Sequence, residues 1–354
     1  MNKKIIIPHS MPDISDREIN AVRRVLLGSH ITQGPEVASF EKESAIKFNR
    51  KYAVAVNSGT SALHIALEAL SARGGEVIIP SYTCTALLNA INMAGAKPKV
   101  VDVDRESDNI KPELVQKAIN KKTRAVIVPH ILGLPADIKE IIKTGIPVIE
   151  DCAMSIGAHI GNAPVGSFGD ISIMSFYGTK MLGTGQGGMI FTSKKTILHK
   201  IKDLTEYDNR PQYKPRYNYK MTDIQAALGR VQLKRLESFI NKRINIAKSY
   251  FNALKSFSVK LPASPQTGHV YFRFVVELSK NARSITQRKL LNKGIEAKPP
   301  IFRPIHRYLN LPAGQFKNTE EIYNRSISIP IYPKLSKEQQ NKVTGELAKI
   351  LKIS

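Results

Sequence analysis

The chain of 354 residues is poor in cysteine, with only Cys84 and Cys152, and poor in acid, with 29 Asp and Glu against 53 Lys and Arg. Two thiols cannot build a disulfide framework, which excludes the small cross-linked secreted domains. No apolar stretch is long enough to cross a bilayer. The opening "MNKKIIIPHSMPDIS" starts like an export signal, but its apolar run covers only Ile5 to Ile7 before Pro8, so the expectation is a cytoplasmic protein. Low-complexity tracts and internal repeats are absent as well. What remains is 42% hydrophobic residues spread over the whole length, the composition of a soluble globular protein.

The shortage of acid leaves a formal net charge of +24. Such an excess suits nucleic acid, a phosphate-bearing substrate or simply a solvated lysine-rich surface. The basic residues are scattered as "NKK", "KK" and "KR", with no basic arm, zinc-finger spacing or basic zipper region. That scatter favours the surface reading and counts against nucleic acid as a partner.

A chain of this length is expected to form one large domain and a smaller one. From Lys51 short β-rich runs alternate with longer helical ones, the mark of an α/β layer structure. "KYAVAVN", "EVIIP", "KPKVVDVD", "TRAVIVPHI", "PVIED", "DISIMSF" and "GGMIFT" read as strands, with apolar faces that fit a mainly parallel sheet covered on both sides. Between them "SGTSALHIALEALSA", "TALLNAINMAG", "PELVQKAIN" and "DIKEIIKT" read as helices. A long amphipathic helix from "TDIQAALGR" to "FNAL" follows, long enough to link two domains, and "HVYFRFVVEL", "ITQRKLLNKG" and "KEQQNKVTGELAKILK" then predict a smaller α+β unit. The predicted division is residues 1–235 for the large domain and 236–354 for the small one.

Three short stretches carry chemistry. "NSGTSAL" follows a strand and opens a helix, so the amides of Gly59, Thr60 and Ser61 sit at the positive end of a helix dipole, as a phosphate seat or as a capped strand-to-helix turn. "VIEDCAMS" ends a buried strand in Glu150 and Asp151, and ligands of open α/β sheets lie outside such strand ends. A carboxylate there can hold a pyridinium N–H; the alternative is a capping or loop acid. In "SFYGTKMLGTGQGGMIFTS", Lys180 comes 29 positions after Asp151, past a loop and a strand ending in Ser175 that return it to the same sheet edge. Taken alone, Lys180 reads more readily as a solvated turn lysine. Together with the acid and the phosphate seat it satisfies what pyridoxal phosphate (PLP) chemistry requires, an amine able to form a Schiff base. The turn "GTGQGG" matches no nucleotide fingerprint and reads as backbone that passes close to a cofactor.

With these elements in order the sequence resembles the DegT/StrS family of PLP-dependent nucleotide-sugar aminotransferases, over nearly the whole chain. The likeness is carried by "ITQGPEVASFEKESAIKF", "VNSGTSALHIAL", "PSYTCTALLNAINMAGAKPKVVDVD", "HILGLPADI", "VIEDCAMSIGA", "GDISIMSFYGTKMLGTGQGGMIFT", "YNYKMTDIQAALGRVQL", "IFRPIHRYL" and "SIPIYPKLS". It implies a fold-type I transferase working as a homodimer with shared active sites. By position it makes Lys180 the Schiff-base lysine and Asp151 the partner of the pyridine nitrogen. It gives Gly59, Thr60 and Ser175 the phosphate, with Asn218 reaching it from the other subunit, and puts Tyr177 and His306 near the substrate, although His306 also reads as a packing residue.

Three positions depart from the family pattern: Cys84 stands where an aromatic residue commonly stacks on the cofactor ring, Met154 where Gln or His faces the ring hydroxyl, and Gln186 where the turn carries Glu. Tyr82 is a candidate to supply the stacking that Cys84 lacks. Lys180 separates the chain from the related dehydratase branch, which has histidine there. The activity implied is transfer of an amino group from glutamate or glutamine to a nucleotide-linked keto-sugar, with no metal. The alternatives are a cyclitol ketone as acceptor, and a non-catalytic regulator or nucleic-acid binder on the same fold.

Overall fold

The computed structural model describes residues 6–28, 30–279 and 282–353. Two helices, α1 (Asp16–Leu27) and α2 (Pro35–Lys47), precede the sheet. The first is set by a capping box, in which the Ser15 amide donates to the Glu18 carboxylate at 2.9 Å. There follow β1 (Tyr52–Val56), α3 (Gly59–Ala69), β2 (Glu76–Pro80), α4 (Thr85–Met93), β3 (Lys97–Val101), α5 (Pro112–Ala118), β4 (Thr123–Pro129), α6 (Ile138–Ile142) and β5 (Val148–Asp151). A short hairpin of β6 (His159–Ile160) and β7 (Ala163–Pro164) leads to β8 (Ile171–Ser175), β9 (Gly188–Thr192), α7 (Lys195–Thr205) and α8 (Asp223–Leu254).

Seven strands form one sheet in the order β1-β9-β8-β5-β4-β2-β3. β3, β2, β4, β5 and β8 run parallel, and β9 alone runs against its neighbours β8 and β1. The mainly parallel sheet read from the sequence is therefore present, in mixed form. Strands β5 and β8 are buried at every position, which is why both read as unbroken apolar runs. One face packs under α3, α4 and α7 through Leu63, Ile65, Leu87, Ile91 and Ile201; the other packs against α2 and α8 through Phe40, Phe176, Leu233 and Leu236.

The remaining elements are β10 (Val259–Lys260), β11 (Phe274–Leu278), α9 (Arg283–Asn292), α10 (Ile305–Tyr308), α11 (Lys317–Arg325), β12 (Ser326–Ile329) and α12 (Lys337–Ile353). The strands β10-β11-β12 form an antiparallel sheet under α8, α9 and α12, with Tyr250, Phe274, Ile327 and Leu347 in its core. Helix α8 begins with a second capping box, Thr222 with Gln225, and feeds both cores: Ala226 to Leu236 into the first, Ile246 to Leu254 into the second. Residue 235, the predicted division, lies inside this helix. The predicted strand from His269 is shorter than expected. It starts at Phe274, because Tyr271 takes a left-handed φ of 50° and the chain turns before it can pair. No helix among the described residues is long and apolar enough to cross a membrane.

One half-buried acid of this framework should make folding pH-dependent. Glu41 accepts from the Ala55 amide at 2.8 Å, and burial, opposed by that bond and by Lys202, raises its pKa from 4.5 to about 7. Between those values the unfolded chain has lost the proton that the folded chain keeps, so stability falls as pH rises through this window. Glu41→Gln keeps an acceptor for Ala55 and removes the titration. We expect it to be more stable than the wild type at pH 8, by on the order of 1–3 kcal/mol, and to lose less of its thermal midpoint between pH 5 and 8. Equal pH slopes for the two proteins would contradict this.

Candidate active site

The sheet brings its key residues to one edge by register. Asp151 ends β5 opposite Ile173 on the parallel strand β8, and Ser175 ends β8 two residues further on. The chain then turns, with the Lys180 amide bonding to the Tyr177 carbonyl at 2.8 Å, and returns in β9. Lys180 thus stands just outside the carboxyl ends of the central strands.

Its amine is enclosed. Burial first, and Arg273 last, lower the Lys180 pKa from the usual lysine value, against the opposing pull of Cys84 and Asp151. The ammonium position lies 5.1 Å from the centre of the Phe272 ring, and among the described residues no carboxylate makes an ion pair with it. Asp151 is 5% exposed; burial raises its pKa, and the Ala153 amide, Lys180 and His130 pull it back. Among the described residues its carboxylate accepts one hydrogen bond, from the Ala153 amide at 2.9 Å. The acid therefore has a free face and the lysine has no fixed partner, which is what a pair waiting for a bound group requires.

The two adjacent carboxylates divide their work because successive strand residues point to opposite faces. Glu150 turns away from the lysine. It accepts from the Phe168 and Gly169 amides at 3.0 Å each, from Gly166, and from His130 Nε2 at 3.0 Å, and stays ionised with a lowered pKa despite burial. It holds the loop between β7 and β8 in place, and Arg50 ties down the same loop through the carbonyls of Ser167 and Gly169 at 3.0 and 2.7 Å.

The turn into α3 is a crowded cradle. Ser58 caps the helix, its Oγ accepting from the Ser61 amide at 3.0 Å, and Ser61 Oγ donates to Asn57 at 2.7 Å. Ser61 is thus spent on the turn, and the amides of Gly59 and Thr60 are left as the first unpaired donors of the helix. Gly59 lies so close to Ser175 that a Cβ there would stand 2.7 Å from the Ser175 Cβ. Gly188 in β9 runs against the same turn, where a Cβ would meet the Ser58 carbonyl oxygen at 2.4 Å. The glycines after the lysine let the strand pass behind the phosphate-type turn, and Gly185 and Gly187, at φ of 81° and 159°, make the bend that leads into it. The exposed Gln186 has its carbonyl held by Thr184 Oγ1 at 2.6 Å and by Gln225 at 3.0 Å.

Cys84 caps α4 and its charge interactions reach both Lys180 and Asp151, with burial as the main cause of its raised pKa. Met154, half-buried, packs between the core under α8 and the cluster around Tyr82. Tyr82 does not take over the stacking role. Its ring is fully buried among Val103, Ile131, Leu132, Ile301 and Ile322. Tyr177 is half-exposed beside the lysine. Asn218 is exposed, on a strip laid against the start of the α3 turn by the bond from the Asn57 amide to the Tyr219 carbonyl at 2.7 Å. His306 is fully buried: Nδ1 contacts Ser81 Oγ at 2.5 Å, Nε2 contacts Glu320 at 2.8 Å, and the ring stacks on Phe316. With both nitrogens taken, this ring fixes α10 onto the segment that carries Cys84, which is its packing role. Two residues absent from the sequence reading, Arg243 and Arg273, also stand beside the lysine, and an arginine inside the apolar run "VYFRFVVEL" was the available signal.

This fold, with a lysine and an acid at its strand ends, agrees with comparison to known proteins. The model of the DegT/DnrJ/EryC1/StrS aminotransferase family matches residues 12–348. The chain belongs to this family. It is 34% identical to the GDP-perosamine synthase of Escherichia coli O157:H7, covering 94% of this chain and 95% of that one, and 31% identical to the spore coat polysaccharide biosynthesis protein SpsC of Bacillus subtilis, covering 98% and 97%. The structure of Spr1654 from Streptococcus pneumoniae in its PLP form superposes with a TM-score of 0.92 at 24% identity, covering 98% of this chain and 99% of that one, and shows the same fold. Membership makes the protein an aminotransferase of fold type I.

Proposed function

We propose that this aminotransferase uses PLP to move the amino group of glutamate or glutamine onto a keto-sugar carried by a nucleoside diphosphate, for amino-sugar biosynthesis. The observation that carries the reading is the unpaired Lys180 amine enclosed with the free face of Asp151, beside a helix N-terminus whose crowding admits only glycine. The residues fit the group. The Gly59 and Thr60 amides and the Ser175 hydroxyl would hold its phosphate, Asp151 its ring nitrogen, and Lys180 its carbonyl carbon. Ser61 belongs to the same cradle as its support, while Cys84 and Met154 would flank the ring.

Bound PLP supplies a carbonyl that takes up amines and a ring that accepts the electrons left behind when a proton leaves carbon. The protein does the rest. Asp151, as an anion, would hold the ring nitrogen protonated. Lys180, its pKa lowered by burial, would serve as a base in its free-amine form, taking a proton from the donor's carbon and, in the reverse direction, returning one to the sugar's carbon. Asn218 of a second copy would complete the phosphate site in a homodimer. An exposed apolar face on α1, with Ile19, Leu26 and Leu27 at 57%, 57% and 76%, offers surface for that copy. The basic surface suits a diphosphate substrate.

The test is the visible spectrum of the PLP-loaded protein. A band that bleaches on adding glutamate or glutamine and returns on adding a nucleotide-linked keto-sugar is expected, with the return slowed by free nucleoside diphosphate. A band that ignores both donors overturns the reading, and a cyclitol ketone accepted without competition by nucleoside diphosphate overturns the choice of acceptor.

A further inference from the structure

The basic residues are scattered along the sequence, but the fold gathers one set of them. Helix α9 has no acid; its outer face carries Arg288 and Lys289, and Lys293 follows just beyond its end. Helix α12 packs beside it, with Leu290, Val343 and Leu347 in the shared core, and exposes Lys342, Lys349 and Lys352. The acids of the pair are Glu338 and Glu346, both on α12. Lys349 Nζ bonds Glu346 at 2.7 Å, and that bond, with the charges of Lys293 and Lys342, holds the carboxyl below its usual pKa. Cations from both helices therefore surround one carboxylate and outnumber it, so this face keeps a positive field.

Two aliphatic side chains stand in water among these charges. Ile285 is 51% and Leu291 40% exposed, while Thr286 and Leu290 of the same helix are buried against the sheet. Ile285 lies one turn before Arg288 and Lys289, and Leu291 three residues after Arg288, so both belong to the cationic face. The mixture narrows the class of partner. Single-stranded nucleic acid is gripped by aromatic platforms set between cations, and neither helix holds an aromatic residue. A duplex backbone would take the cations but leave Ile285 and Leu291 unburied. The interface of an anionic bilayer suits both kinds of side chain: headgroups meet the cations, and aliphatic tips enter the boundary with the acyl chains.

We propose that the outer face of α9 and α12 docks on the headgroup surface of a bilayer rich in anionic lipid, which holds the enzyme at a membrane without a spanning segment. The face lies outside the catalytic residues, and the proposal does not rest on the reaction.

The test is sedimentation of the PLP-loaded full chain with vesicles of equal parts phosphatidylglycerol and phosphatidylcholine, against vesicles of phosphatidylcholine alone. Binding to the anionic vesicles only is expected, and it should fall steeply as salt is raised. Lys289→Gln, Lys293→Gln, Lys342→Gln and Lys349→Gln together should weaken it by about 100-fold or more, at about 5-fold for each charge removed near an anionic surface. Ile285→Ser with Leu291→Ser should weaken it by about 10-fold and leave the salt dependence in place. All six side chains are exposed, so both variants should fold and transaminate like the wild type. A second variant, with Lys47, Lys51, Lys121 and Lys122 each changed to Gln, removes the same charge from exposed positions elsewhere and should bind like the wild type. Absence of binding to the anionic vesicles, equal binding to the neutral ones, or an equal loss in the second variant overturns the docking face. So does tighter retention of a DNA duplex than of the vesicles through the same four lysines, which would make nucleic acid the partner. Sedimentation reads no turnover, so the docking face and the proposed function stand or fall separately.

Discussion

Lys180→Ala is expected to abolish transamination while leaving a folded protein that still takes up PLP. The fall in turnover should be on the order of 10⁴-fold or more, since removing a positioned proton carrier alone costs about 10²- to 10⁴-fold and the covalent anchor goes with it. Folding should survive because the lysine makes no ion pair among the described residues, so the substitution leaves no buried charge unanswered; the contact of its amine with the Phe272 ring is the main interaction lost. PLP retention should survive because the cradle of Gly59, Thr60 and Ser175 and the acid Asp151 do not depend on the lysine for their positions. Absorption spectroscopy separates these effects: the variant should show bound PLP that borohydride cannot fix to the protein. Turnover near the wild-type rate would mean that another amine does the chemistry.

Much of this site was legible in the sequence, and the reason is local. Strands buried on both faces read as apolar runs, and the residues just past their ends are where a parallel sheet presents its ligands, so Asp151, Ser175 and Lys180 could be placed from spacing alone. The Gly59 turn carried its own signal, a strand followed by small capping residues, and the structure adds the cause: Ser175 and Gly188 press on the same backbone. What stayed hidden depends on distant packing. Tyr82 sits two residues from Cys84, yet Ile301 and Ile322, more than 200 positions further along the chain, claim its ring. His306 follows a loop-like stretch and gains its role only when Ser81 and Glu320 meet it from opposite sides. Arg243 is invisible on an amphipathic helix, where an arginine normally marks the solvated face; here Asn241, Lys242 and Asn245 take that face and Arg243 lies on the buried one. The strand expected from His269 broke on Tyr271, whose carbonyl, like that of Phe272, is used by Arg243 instead of by a neighbouring strand.

Asp151→Asn should lose about 10²- to 10³-fold in kcat, the scale of removing one charge partner from a preorganised site, and should do so without loss of stability. The amide is nearly the same shape and keeps an oxygen to accept from Ala153, so the β5 end and the loop after it are preserved. Burial raises the pKa of Asp151 in the folded protein, so stability from this group falls as pH rises through its titration, and the neutral amide removes that fall. In the protein without cofactor the variant should therefore be as stable as the wild type or more so above neutral pH. Catalysis answers differently, because only an anion keeps the ring nitrogen protonated, and an amide can meet that nitrogen only as a neutral partner. A second readout follows from the coupling with Lys180. Asp151 is one of the two groups that pull the lysine pKa upward, so its neutralisation should lower the lysine value further. The pH profile of the glutamate half-reaction should then shift to lower pH as its rate falls, which a merely structural effect on the β5 end would not produce. An unchanged rate would mean that a different group protonates the ring, and an unshifted profile with a reduced rate would place Asp151 in support of the fold rather than against the cofactor.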